Sequence, residues 1–211
     1  MEDVLEVYAR PYDPKRPVVC LDEGGKELRS TPWGTLPAEP GTAARQDFEY
    51  QREGVANLFV AVEPLSGKRQ VQITQRRTAS DFADFLKFVL DEMYPDAEKV
   101  VLVTDNLNTH KIASFYERFA PIEARRLAQK IEWHYTPEHG SWLNIAEIKL
   151  SVLHRQCLSG RKTAAELARE VPLWVQRRNQ DVSKISWQFT SEDARVKLRR
   201  LYPVFTNAKS S

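Results

Sequence analysis

The chain has 211 residues, 42% of them hydrophobic and 28% charged, with a net charge of +2; that suits one domain with extensions and excludes disorder by composition. Only Cys20 and Cys157 are present, without a CxxC pair, which excludes a disulfide framework or cysteine zinc site and fits a reducing cytoplasm. No apolar run reaches the about 18 residues of a membrane span, and the acidic start MEDVLEVYARPYDP lacks the apolar core of a secretory signal.

Residues 1–15 read as a lead or linker. Residues 16–22 (RPVVCLD) read as a strand, with Pro17 at its start, where a missing N–H is tolerated. Residues 23–53 carry Gly24-Gly25, Pro32, Gly34, Pro37 and Pro40-Gly41, so a long irregular loop is expected, of a length that is usually functional or disordered. Trp33 on it is expected to pack back on its own domain, with stacking or anchoring as the alternative. Residues 55–62 and 69–74 should form a hairpin through the turn EPLSGK. Residues 78–94 read as a helix capped by Thr78 or Ser80. Residues 99–105 (KVVLVTD) are apolar throughout and end in a carboxylate, as in a strand buried on both faces. Short helices are predicted over 112–119 and 122–129, and a strand over 131–135 (IEWHY). Helices follow over 142–158, over 163–178 with a kink or break at Pro172, and over 191–202. The order predicts an α/β fold: a central mixed five-stranded sheet with helices on both faces. Its body is residues 16–185, followed by a C-terminal helical extension and tail over 186–211.

Three carboxylates stand out by position. Asp22 ends the first strand, Asp105 ends the buried strand, and Glu147 lies one turn into a helix. Open sheets place active sites at the carboxyl ends of strands. Two aspartates there, with a glutamate from a covering helix, would crowd like charges and raise one another's pKa. Hard divalent cations such as Mg²⁺ or Mn²⁺ relieve that crowding. Taken singly, each is equally a cap, a surface charge or an ion-pair partner; the placement of all three points to a site. On the 142–158 helix, Ile145, Ile148 and Val152 are expected to face the core, with Glu147, Ser151 and His154 on a polar stripe beside them.

Charge is uneven. Residues 1–105 hold 13 Lys and Arg against 19 Asp and Glu, whereas residues 106–211 hold 18 against 10. Arg161, Lys162, Arg177 and Arg178 are candidate contacts to a polyanion; solvated helix faces give the same pattern.

The segments VVCLDE (18–23), PAEPGT (37–42), FEYQREG (48–54), LVTDNLNTH (102–110) and YTPEHGSWLNIAE (135–147) appear in one order along nearly the whole chain. In them the chain resembles the catalytic domain of the mariner superfamily of DDE transposases, in its bacterial insertion-sequence branch. The resemblance implies a ribonuclease-H-like fold, a metal-binding triad at Asp22, Asp105 and Glu147, and two Mg²⁺ ions per site, with Mn²⁺ as a substitute. It implies strand cleavage at transposon ends and strand transfer into target DNA by a homodimer or higher assembly. Asn106, His110, His139 and Trp142 fall on recurrent positions of its motifs, as residues that orient a carboxylate or a phosphate; on residue chemistry alone His110 is equally a polar helix start. His134 and His154 read as a strand histidine and a helix-face histidine.

Two features depart from the family pattern. Between Asp105 and Glu147 lie 41 residues, longer than the familiar interval, with the surplus expected in the short helices 112–129. Only 21 residues precede Asp22, too few for the helix-turn-helix region that reads transposon ends. The expectation is a catalytic module alone, with an upstream-encoded helix-turn-helix segment as a candidate partner. The alternatives are a non-catalytic truncated transposase that binds or inhibits partner subunits, and a ribonuclease or junction resolvase on the same fold.

Overall fold

A computed structural model describes residues 1–36, 38–43, 45–46, 48–107, 110–138 and 140–202. Its strands are β1 (Val18–Ser30), β2 (Thr35–Leu36), β3 (Arg45–Gln46), β4 (Gln51–Val62), β5 (Arg69–Thr74), β6 (Val100–Thr104) and β7 (Ile131–Tyr135). Five of them form one sheet in the order β5-β4-β1-β6-β7, and β2 and β3 pair separately. The β5-β4-β1 side is antiparallel, and β1, β6 and β7 run parallel. This is the expected mixed sheet.

Residue alternation explains why both faces are covered. On β1, Val19 and Leu21 point to one face while Val18 and Cys20 point to the other; on β6, Val100 and Leu102 oppose Val101 and Val103. The first set packs with helix α2 (Ala79–Phe88) and helices α3 (Ala113–Arg118) and α4 (Pro121–Gln129). The second packs with α1 (Glu2–Tyr8), α5 (Ile145–Gln156) and α7 (Ser191–Lys197). Helix α6 (Ala164–Gln180) covers β4 and β5 on that same side, through Leu167, Val171 and Val175 against Leu58, Val60 and Val71.

Several expectations change. Residues 1–15 are no mere lead: Val4, Leu5 and Val7 of α1 are buried in the second face's core. The expected loop over 23–53 is shorter, because β1 and β4 continue outward as a paired arm, Gly24 opposite Leu58 and Ser30 opposite Gln51. The glycine pair is a strand element, not a turn. A Cβ on Gly24 would lie 2.6 Å from a methyl of Leu150 on α5, so glycine here permits close helix–strand approach. Trp33 on the arm does not pack back; it is 77% exposed.

Helix α2 gives way to a π-helical turn at Val89–Met93. Helix α6 runs unbroken through Pro172. The buried side of α5 is Ile145, Ala146, Lys149 and Leu153, whereas Ile148 is exposed. The helix is thus rotated from the expected face, and burial lowers the pKa of the Lys149 ammonium to about 8. The C-terminal segment adds Trp187, Phe189 and Ala194 to the same core as the rest.

Candidate active site

The register of the parallel pair builds the first half of the site. Val18 pairs with Val101 and Cys20 with Val103. Beyond that pairing β1 runs on to Asp22, while β6 ends at Thr104, immediately before Asp105, and Asp22 feels the charge of Asp105. Asp22, still within β1, carries the parity of Cys20 and faces the side that α5 covers. Glu147 comes to them from the first turn of α5. Asp22 feels both other carboxylates. Burial, then Asp105 and Glu147, push its carboxyl up from 3.8 to about 6, against the opposing pull of the Glu23 N–H and of His110.

Glu147 differs from the acids at the same place in three other helices. Helices α2, α6 and α7 each start with a threonine cap and an acid three residues on: Thr78 and Asp81, Thr163 and Glu166, Thr190 and Asp193. In each, the acid accepts from the cap's own N–H, at 2.8 Å, 2.8 Å and 3.1 Å, closing a capping box. Glu147 holds the same place in α5 behind Asn144. There the cap N–H already donates to Ser141 O at 2.7 Å, within the 3₁₀ turn Ser141–Leu143. Glu147 is released, and its Oε2 is buried with no hydrogen-bond partner. A buried carboxylate oxygen left unpaired is costly, and a cation is what would satisfy it.

His110 backs Asp105. Its imidazole is fully buried, stacked on Phe82 with ring centroids 4.3 Å apart. Nδ1 bonds to Asp105 Oδ1 and lies 3.3 Å from Thr104 Oγ1. Nε2 lies 3.5 Å from Glu23 Oε2. Burial works against the imidazolium, but Asp105 and Glu23 outweigh it and hold its pKa up at about 9. Glu23, whose side chain is 7% exposed and 3.5 Å from Arg77, was not singled out from the sequence. Strand alternation was the available signal: it puts Glu23 next to Asp22 on β1 but on the opposite, His110 face.

Asn106 is exposed and, with Asp105, Leu107, Thr136, Pro137 and Ser141, lines an open groove of about 420 Å³. Trp142 is 42% exposed, edge-on to Phe189 at 5.7 Å. His139 lies outside the described residues. Among the four candidate polyanion contacts, Arg161 donates to Phe48 O and Glu49 O, both at 2.8 Å. Lys162 bonds Glu170 at 2.6 Å, and Arg178 lies 4.0 Å from Asp181. Arg177 is exposed. His134 bridges Asp3 of α1 and Glu132 of β7.

Among the described residues, no three His, Cys, Asp or Glu side chains converge tightly enough to hold a metal as they stand. Mutual repulsion keeps uncompensated carboxylates apart, and Asp105 has turned one oxygen to His110. The donor set nonetheless fits a hard divalent cation: three carboxylates, one with an orphaned buried oxygen and one with a raised pKa.

Residues 17–167, which include all three carboxylates, match the family described as DDE superfamily endonuclease. The chain belongs to that family. No curated protein matches it. Among solved structures, this DDE endonuclease chain is similar to the Mos1 strand transfer complex, at 14% identity and a TM-score of 0.47 over 85% of this chain and 55% of that one. It is also similar to the simian T-cell lymphotropic virus intasome in complex with the PP2A regulatory subunit B56 gamma, at 13% identity and a TM-score of 0.41 over 96% of this chain and 62% of that one. The DDE chain therefore spans less than two thirds of the chains it is compared with. No helix among its described residues is long and apolar enough to cross a membrane.

Proposed function

We propose that this chain is the catalytic domain of a DNA transposase of the mariner superfamily, in the bacterial insertion-sequence branch. It cleaves strands at transposon ends and joins them to target DNA. Asp22, Asp105 and Glu147 would hold two divalent cations, Mg²⁺ with Mn²⁺ as a substitute. When bound, such cations activate a water or 3′-hydroxyl and neutralise charge on the leaving oxygen.

The chain's own groups have separable tasks in this reading. Asp22 and Asp105 present ligands from adjacent strands, and Glu147 closes the set from the helix. His110 fixes the rotamer of Asp105, since a hydrogen-bonded partner behind a ligand sets its orientation. Glu23 balances the His110 charge from the opposite side. Asn106, Trp142 and the groove beside Asp105 line the approach of the DNA strand, and Arg177 with the basic second half draws the phosphate backbone. The working form is a dimer or larger assembly on DNA.

The observation that carries the reading is the Glu147 carboxylate of a DDE chain, withheld from the capping box, buried unpaired and near enough to Asp22 to raise its pKa. Nicking of supercoiled plasmid with and without Mg²⁺, beside Asp105→Ala, tests it. Metal-dependent nicking lost in the variant is the expected result. Equal nicking by both proteins would remove the triad from the reaction. No nicking by either would favour a partner-binding module over an autonomous nuclease.

A further inference from the structure

A carboxylate on a helix and another on a strand can share a cation only if helix and strand keep a fixed separation. Coordinate geometry tolerates errors of about 0.5 Å. The contacts that set this separation gather at the start of α5. Asn144 is 1% exposed. Its Nδ2 donates to Leu21 O at 2.8 Å, the carbonyl immediately before Asp22. Its Oδ1 accepts from Ala146 N at 3.1 Å, immediately before Glu147. One side chain thus touches the backbone next to each carboxylate.

A second tether comes from α1. The Tyr8 hydroxyl donates to Leu143 O at 2.7 Å and accepts from Ile145 N at 3.4 Å. The same oxygen stands 3.4 Å from Cys20 Sγ. Cys20 lies two residues before Asp22, and Ile145 two before Glu147.

The choice of cap supports a positioning task. The three other capped helices use threonine, and each Thr side chain serves only its own helix start. Asparagine caps about as well but carries a second polar group, an NH₂ donor. That donor is what reaches β1.

We propose that Asn144 and Tyr8 are positioning residues that fix the spacing of Asp22 and Glu147, and so the affinity of the site for its divalent cation. The proposal rests on the metal-site reading above. It also makes α1, which precedes the sheet, part of the site's support.

The test is a calorimetric titration of Mn²⁺ into the whole chain, which needs no turnover. The proteins are the unaltered chain, Asp22→Asn, Tyr8→Phe and Asn144→Ser, with thermal midpoints measured without metal. Tyr8→Phe keeps the ring against Trp187, whose centroid is 5.2 Å away, and loses only the hydroxyl. Asn144→Ser keeps a capping oxygen but ends short of Leu21. The expected result is Mn²⁺ affinity reduced on the order of 10-fold in both, with the Tyr8→Phe midpoint within a few degrees of the parent. Unchanged affinity in Tyr8→Phe and Asn144→Ser, beside a parent that binds and an Asp22→Asn that does not, would overturn this inference alone. Affinity that falls only in step with the midpoint would reduce both residues to fold stability and overturn it too. A parent that binds Mn²⁺ no better than Asp22→Asn would bring down the metal-site reading and this inference with it.

Discussion

Two groups of carboxylates in this chain live under opposite rules. On the α2–α4 side, Asp91 and Glu123 share Arg126 and Lys87, and the side-chain bonds to Arg126 lead in pulling both down to about 2. On β7, Glu132 meets Arg10, Arg16 and His134; burial opposes, but those partners hold it at about 2 as well. In the candidate site, Asp22 goes the other way, up to about 6, and Glu147 keeps a buried oxygen unpaired. The same residue types are paired where a cation is built into the chain and crowded or unpaired where none is. The contrast separates function from stability without reference to motif.

The sharpest way to break the contrast is to neutralise one member of the unpaired group. Asp22→Asn should lower metal-dependent DNA cleavage on the order of 10³-fold, the cost of losing several kcal/mol of charge stabilisation. It should also raise the thermal midpoint of the metal-free chain, because a crowded buried charge is gone. A variant that kept cleaving, or that lost stability, would put Asp22 among the paired, structural acids.

Acidity sharpens the same point with a smaller signal. The folded chain holds the Asp22 proton to about pH 6, whereas an unfolded carboxyl releases it near 3.8. Its contribution therefore favours the fold at low pH and is lost as pH rises between roughly 4 and 6. A divalent cation reverses the penalty by binding the ionised form. At a hundredfold excess over Kd it adds about 2.7 kcal/mol, or about 5–10 °C in midpoint for a chain of this size. Differential scanning calorimetry should show that Mg²⁺ shift at pH 7.5 and little of it at pH 5. An equal shift at both values would mean that the cation binds elsewhere.

Arg126→Met tests the paired group and should do least. The network joining α2, α4 and the π-helical turn is largely solvent-exposed, so its loss should cost about 1 kcal/mol, or about 2–4 °C. Nicking should be untouched. Slower nicking at unchanged stability would show that this surface reports to the active site.

The sheet was legible because its strands alternate cleanly or are apolar throughout, and the hairpin turn and the cap at Thr78 carried their own chemistry. The DDE endonuclease family was legible from ordered motifs, and Glu147 from its place one turn into a helix; Asp22 was expected to end its strand, but β1 continues through it to Ser30. Other features were not. Helix α1 is seven residues long with no side-chain cap, so only tertiary burial reveals it. Gly24-Gly25 mimics a turn because the sequence does not show Leu150 pressing on Gly24. Lys149 stands on the core side of α5, where a charge pattern would never place it. Glu23 and Tyr8 act across the sheet, through partners 87 and 135 residues away in sequence, and no local window joins them. Asn144 was inside a recognised motif, yet its bond to Leu21 O appears only once strand and helix are packed.

The withheld glutamate also bears on the order in which the chain assembles. Helices α2, α6 and α7 carry complete start signals and can form their first turns from local sequence alone. Helix α5 cannot: its cap leans on Leu21 and on the Tyr8 hydroxyl, both distant in the chain. Its first turn should therefore lock only after β1 and α1 have docked, while its later turns need no such help. Amide hydrogens at Ala146 and Glu147 would then exchange with the opening of the sheet, not with fraying of the helix. The polypeptide completes its reactive corner last, when the rest of the fold is there to hold like charges together.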